Sequence, residues 1–169
     1  KGNIFDVGGP TANMYGFECS KKTSQGICRD KKCLYPTVCK KLKPTHRNYI
    51  NLLRKLKNIN GIKNIFIGSG IRYDLILNDV KNGKEFLRDL INYHVSGQLK
   101  IAPEHTEKHV LDLMNKPESK RLLEFKDEFD KINRESGKKQ FLTYYFIASH
   151  PGCTRHDMQN MKKFIPTHR

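Results

Sequence analysis

The chain has 169 residues, 37% of them apolar, and a formal net charge of +15 from 32 Lys and Arg against 17 Asp and Glu. That length suits one domain over 1–169 with a modest core, and no apolar run approaches the roughly 18–20 residues a membrane span needs. The charge permits nucleic-acid or anionic-surface binding, but the lysines are spread over many segments, and neither an RGFGF strand nor a GXXG loop is present.

No secretory signal is recognisable, which sets the expectation of a cytoplasmic location with reduced thiols. The chain opens on Lys1 and runs almost at once into Ile4-Phe5-Asp6-Val7, a strand of buried type. This start is expected of a piece of a longer protein. Gly8-Gly9-Pro10 follows the strand, and two glycines there allow a sharp turn and a ligand's close approach to main-chain N–H groups. Residues 13–45 form an insert with no hydrophobic period. They hold Cys19, Cys28, Cys33 and Cys39 in the spacing C-x8-C-x4-C-x5-C. Four thiolates can order a coreless loop by closing a tetrahedral site. Zinc and an iron–sulfur cluster both accept four sulfurs, and this spacing is not that of a zinc ribbon. Disulfides and unrelated free cysteines are the competing readings, and the absence of a recognisable secretion signal argues against the first.

Tyr49, Ile50, Leu52, Leu53 and Leu56 recur at helical spacing behind Thr45, the expected N-cap, and Gly61 closes that helix. A strand over Lys63–Ile67 ends in Gly68-Ser69-Gly70, and Ser69, Arg72, Tyr73 and Asp74 gather at its tip. Arg72 suits a two-pronged grip on a carboxylate or phosphate; an exposed pair with Asp74 would be worth little. A second helix is expected over Gly83–His94. It leads to a strand over Gln98–Ile101 tipped by Ala102-Pro103-Glu104-His105. Lys100, Glu104 and His105 offer acid–base or ligand-binding groups, and Thr106 is expected to cap a helix over Glu107–Met114.

A helix over Leu122–Ser136 and an aromatic-rich strand over Phe141–Ile147 follow. The strand reaches His150-Pro151-Gly152. Thr154 and Asp157 then make a capping-box start for a last helix. Cys153 has no base beside it in the sequence and reads as a packing residue. The layout is α/β: about four parallel strands joined by right-handed crossovers, with the unusual residues at their C-terminal ends, where such folds bind ligands. Four strands are too few to close a barrel, so an incomplete (β/α) barrel is expected.

DVGGPTANMYG, GSGIRYDL, LKIAPEHT and YFIASHPGCT, in this order, resemble the YgiQ-like family of radical SAM proteins over essentially the whole chain. The resemblance implies a partial (β/α)6 barrel, of which this chain holds strands two to five. It also implies reductive cleavage of S-adenosylmethionine at a [4Fe-4S] cluster, on a substrate it does not name. By the same analogy, Gly8, Gly9 and Pro10 stand where the family's GGE motif meets the SAM amino group. Pro10 replaces the usual Glu. Lys100 to Glu104 would meet the ribose and carboxylate, and His150, Pro151 and Gly152 the adenine. Ser69 and Arg72 would face cofactor or substrate. The CxxxCxxC loop that holds the radical cluster is not in this sequence, so the chain alone is expected to be inactive, with the rest of a parent chain needed to complete the barrel. The four cysteines would hold zinc or a second cluster. The alternative is a non-catalytic, basic, metal-stabilised nucleic-acid-binding module.

Overall fold

A computed structural model describes residues 2–9 and 11–167. The chain is α/β, with short parallel strands β1 (Gly2–Ile4), β2 (Ile62–Ile65), β3 (Gln98–Glu104) and β4 (Phe141–Phe146). The helices are α1 (Ser20–Gln25), α2 (Arg47–Lys57), α3 (Tyr73–Asn78), α4 (Gly83–Asp89), α5 (Lys108–Met114), α6 (Ser119–Glu135) and α7 (Arg155–Thr167). The last turn of α4 widens into a π turn at Leu90–His94.

The strands form two two-stranded sheets, β1–β2 and β3–β4, rather than one continuous sheet. Between the pairs, Ile71 bridges Ile101 in parallel fashion and its N–H bonds the Lys100 carbonyl at 3.1 Å. The Ile67 N–H, four residues earlier, goes to the His94 carbonyl at the end of the π turn (3.0 Å). The ladder therefore breaks where β2 would join β3. The four strands do not close a barrel.

One apolar cluster underlies this layout. Tyr49, Ile50 and Leu53 of α2, Phe86 and Leu87 of α4, and Phe125, Phe129 and Ile132 of α6 pack on Ile65, Leu99 and Ile101. The helical spacing of these residues is the reason the helices form, since each stripe is buried against the sheet. In β3, Leu99, Ile101 and Pro103 are buried while Gln98 and Lys100 are exposed, so one face of that strand is covered and the other is open.

Several local expectations shift. The first strand is Gly2–Ile4, although Val7 still bonds Phe66 across the pair (3.1 Å). His46, not Thr45, is the N-cap of α2. α3 is a six-residue apolar helix without a periodic signal of its own. β3 extends through Pro103 to Glu104 by a register shift after Ile101. α6 begins at Ser119, because Pro117 and the extended Glu118 end the preceding turn sooner than the apolar pattern indicates.

Buried polar groups join the helices. His46, fully buried, donates from its backbone N–H to Asp79 Oδ2 (2.7 Å), and its Nδ1 lies 2.9 Å from the same oxygen. Asn13 Oδ1 accepts the Arg72 N–H, so its amide nitrogen faces the Arg72 carbonyl and His46 Nε2 (3.2 Å). His46 is therefore neutral with its proton on Nδ1. Burial pushes its pKa down against the pull of Asp79. Burial likewise lowers His94, whose Nδ1 faces the Ile65 carbonyl at 2.8 Å, and His105. These imidazoles resist protonation in the folded chain, so the unfolded chain binds more protons once the pH falls below about 6.5. The urea midpoint should fall between pH 7.5 and 5.5; a flat profile would contradict this. His46→Ala, which strands Asp79 and Asn13, should lower stability at pH 7.5 by about 2 kcal/mol or more.

Candidate functional site

The strand tips carry the site, and a carboxylate at the first tip organises the second. Asp6 Oδ1 accepts the N–H groups of Gly68 and Ser69 at 2.9 and 3.0 Å, and Oδ2 accepts the Ser69 hydroxyl. Burial opposes the charge on Asp6, but the Ser69 and Gly68 donors, helped by Lys100, hold its pKa below the ordinary value. Ser69 is thus engaged within the chain. A Cβ on Gly68 would lie 2.8 Å from the Phe5 carbonyl, so glycine is what lets these two tips approach.

The neighbouring glycines differ. Gly8 has φ +107°, and a Cβ there would meet Ala12 Cβ at 2.4 Å. Gly9 has nothing within 4 Å of the same position, so it faces open space. Pro10 lies outside the described residues. Thr11, just beyond, lines a cavity of about 110 Å³ with Arg72, Tyr73, Asp74, Glu104 and Lys116 among its walls.

Two ion pairs stand in that wall. Arg72 Nε and Nη2 reach Asp74 Oδ1 and Oδ2 at 3.0 and 2.6 Å. Their side chains are 17% and 6% exposed. Arg72 therefore takes the partner of the competing expectation, Asp74, and grips it with two prongs. The pair differs from that expectation in its burial, and removing either partner would leave a charge largely shielded from water. Glu104 Oε1 takes the Lys116 ammonium at 3.0 Å, while Glu104 Oε2 is buried with no hydrogen-bond partner. Glu104 also has φ +71°, a conformation that strains a non-glycine residue.

The other expected residues sit apart from the cavity. Lys100 is exposed on the open face of β3. His150, Pro151 and Gly152 form the turn beyond β4; His150 Nδ1 is 2.8 Å from the Pro151 carbonyl, and Gly152 has φ +88°. Thr106 does not cap α5. Glu107 occupies that position, its N–H goes to His105 Nδ1 (3.1 Å), and the Thr106 hydroxyl is buried without a partner. The Thr154–Asp157 box does form, with Thr154 N–H to Asp157 Oδ2 at 2.7 Å and Asp157 N–H to Thr154 Oγ1 at 3.2 Å.

The cysteine insert is tied at its neck by an antiparallel bridge between Cys19 and Leu42. It docks on α5 through Tyr35 Oη to Asp112 (2.9 Å). All four cysteines are free thiols, from exposed Cys33 to buried Cys39. N–H groups of Lys41 and Leu42 aimed at Cys39, with Lys31 nearby, hold its thiol pKa below the ordinary value despite burial. Among the described residues, the one group of metal-type side chains whose ligand atoms converge within 4.8 Å is Glu107, His109 and Asp157. The insert's thiols do not converge in this way, so the insert as placed is not a closed four-thiolate cage.

Sequence reasoning missed Lys116, which an intervening helix carries back to Glu104. It also missed His105 beside Cys153, 3.4 Å from Nε2 to Sγ and 48 residues apart. A strand-tip His followed by a second strand-tip Cys was the available signal. The sequence placed no base beside Cys153; the fold does bring an imidazole there. Because His105 Nδ1 accepts the Glu107 N–H, its proton is on Nε2 and points at the sulfur. His105 thus donates to Cys153 and does not act as its base.

Comparison with known proteins supplies the relatives. The chain is 59% identical over 163 residues to a UPF0313 protein of Fusobacterium nucleatum subsp. nucleatum, covering 96% of this chain and 29% of that protein. It is 46% identical over 165 residues to one of Methanocella arvoryzae (98% and 27%) and 47% identical over 164 residues to one of Vibrio vulnificus (97% and 21%). The similarity is to UPF0313 proteins. The chain spans between about a fifth and three tenths of the length of these relatives. No protein-family model and no solved structure matches it.

Asp6→Ala should release the second tip. Amide hydrogen exchange at Gly68 and Ser69 should speed up, with global stability changed by no more than about 1 kcal/mol, because the carboxylate is solvent-exposed. Unchanged exchange would show that the tip holds without Asp6.

Proposed function

We propose that this chain is the SAM-binding part of a radical SAM enzyme, within an arc of parallel strands completed by the rest of a longer protein. The observation that carries the reading is Glu104: a strained residue at the C-terminal end of a parallel strand, with a buried, unpartnered carboxylate oxygen in the wall of a cavity. An acceptor held without a donor costs free energy that a bound hydroxyl or ammonium group would recover. The ribose hydroxyls or the amino group of SAM are donors of that kind. The reading is supported by the parallel pairing within β1–β2 and β3–β4 and by the parallel bridge of Ile71 to Ile101 between the two pairs. The open face of β3, carrying Lys100, would then look into the barrel. No helix of the described residues is long and apolar enough to cross a membrane.

In this reading Gly8 shapes the first tip and Gly9 admits the ligand to the backbone. Ser69 and Arg72, already committed to Asp6 and Asp74, stiffen the site. His150, Pro151 and Gly152 offer backbone groups to the adenine. SAM and its cluster, when bound, supply the one-electron cleavage chemistry, with cluster ligands outside this sequence. The cavity of about 110 Å³ has room for a small polar part of SAM, not the whole molecule. The remainder would lie along the open tips.

The four-cysteine insert is proposed as a separate zinc or iron–sulfur site. The stretch 26–41, which contains no helix or strand, would close around the ion from its Cys39 anchor. Aerobically stable zinc, or iron with sulfide, should co-purify with the chain and be lost in Cys28→Ser/Cys33→Ser. A folded, metal-free chain purified anaerobically would remove this site.

The full-length protein with its cluster reconstituted should bind SAM and release 5′-deoxyadenosine. Gly9→Val should weaken SAM binding at least about tenfold while leaving the melting temperature unchanged, since a side chain there meets only open space. SAM binding unaffected by Gly9→Val, or no binding at all, would reject the reading. Salt-sensitive RNA binding that survives Gly9→Val and Arg72→Ala would instead favour a basic nucleic-acid-binding module, the reading that the +15 charge supports.

A further inference from the structure

β3 and β4 are paired neighbours, so the segments that leave their tips run side by side. The first carries Glu107 and His109 and the second carries Asp157. One ligand atom from each lies within 4.8 Å of the others. His109 Nε2 stands 3.1 Å from Asp157 Oδ2, across 48 residues of sequence. Two zinc ligands bound at about 2.0–2.2 Å in tetrahedral geometry are about 3.4 Å apart, so this spacing is close to that of ligands around an ion.

We infer that Glu107, His109 and Asp157 form a binding site for a divalent first-row transition ion, zinc above all. An ion pair needs only His109 and Asp157. The third group is the informative one, because it brings a second carboxylate within 4.8 Å of the first, and a divalent cation among them offsets the repulsion of the two more fully than one imidazole can. The donor set is one imidazole and two carboxylates. Imidazole selects zinc and its neighbours over magnesium and calcium, which prefer oxygen throughout. Three protein ligands leave at least one position for water, the arrangement of an open zinc site.

The surrounding residues hold the ligands in place. Thr154 donates to Asp157 Oδ2 from both its N–H and its hydroxyl, each at 2.7 Å, which fixes a carboxylate that is itself buried. His105 accepts the Glu107 N–H and so orients the backbone that presents the first ligand. Supporting contacts of this kind commonly set metal affinity. The His109 side chain is 55% exposed and provides the entry path. The site stands apart from the cavity at Glu104 and contains no thiolate, so it depends neither on the SAM reading nor on the four-cysteine insert.

The test is a Co²⁺ titration of the Cys28→Ser/Cys33→Ser chain, read by visible absorption. One equivalent should bind with d–d bands and without a thiolate-to-cobalt charge-transfer band, and zinc should displace it. His109→Ala and Glu107→Gln, at exposed and half-exposed positions, should each weaken binding more than about tenfold with unchanged circular dichroism. Absence of binding, binding indifferent to both substitutions, or a charge-transfer band that places the ion on sulfur would each overturn the assignment.

Discussion

Asn13, His46 and Asp79 meet where the first strand tip, the start of α2 and the junction of α3 with α4 come together, and they join all three by directed bonds. Asn13 and His46 are fully buried and Asp79 is 5% exposed. A buried amide, imidazole and carboxylate would be costly without partners, and here each has them. Asp79 receives two bonds from His46 and one more from the Asn82 N–H (2.9 Å). His46 is held flat against Phe86, with ring centroids 4.5 Å apart, and edge-on to Phe17. Apolar burial is non-directional and would tolerate several arrangements of α2 and α4 on the sheet; this network is satisfied in one.

The network also reaches the functional edge. Asn13 accepts the Arg72 N–H and donates to the Arg72 carbonyl, so the backbone of the second tip is fixed by a residue of the first. Asp6 does the same at Gly68 and Ser69. With its backbone held, Arg72 is placed to pair with Asp74, and the cavity beside Glu104 is bounded on that side by a rigid wall. Positive φ values at Glu104 and Ser149 show where the backbone departs from comfortable geometry, and both lie at or just beyond a strand's C-terminal end. Such strain persists only where surrounding contacts over-determine it. Glu104 has those contacts in the Lys116 ion pair and in its carbonyl, which accepts the Ile147 N–H at 2.7 Å.

The insert follows different physics. It buries few apolar side chains and carries one short helix, all of whose residues are exposed. Its order comes from its ends and from docking on α5. Cys39 and Leu42 are its buried apolar side chains, and N–H donors and a nearby lysine lower the Cys39 thiol pKa. Metal ligation uses the thiolate form, which a lowered thiol pKa makes easier to reach.

What could be read from the sequence alone was whatever depends on neighbours within a few residues. The stripes of α2, α4 and α6 follow from apolar residues at helical spacing. The Thr154–Asp157 box is a contact across three residues. Gly8 and Gly68 mark turns and close approaches because only glycine fits there. Local reasoning failed where a distant group took over. Thr106 lost its cap to Glu107 because the His105 ring receives the Glu107 N–H. The single expected sheet split because the Ile67 N–H bonds the end of a π turn rather than β3. Arg72 was undecided between a ligand grip and a surface pair because its value depends on burial, which the packing around Asp74 decides. The same holds for the meeting of Glu107 and His109 with Asp157. Composition and periodicity determined an α/β chain with parallel strands and a polar C-terminal edge, since those follow from 2.0- and 3.6-residue repeats. Which polar residues face one another at that edge was decided only in three dimensions, because strand pairing joins segments dozens of residues apart and no local pattern encodes that distance.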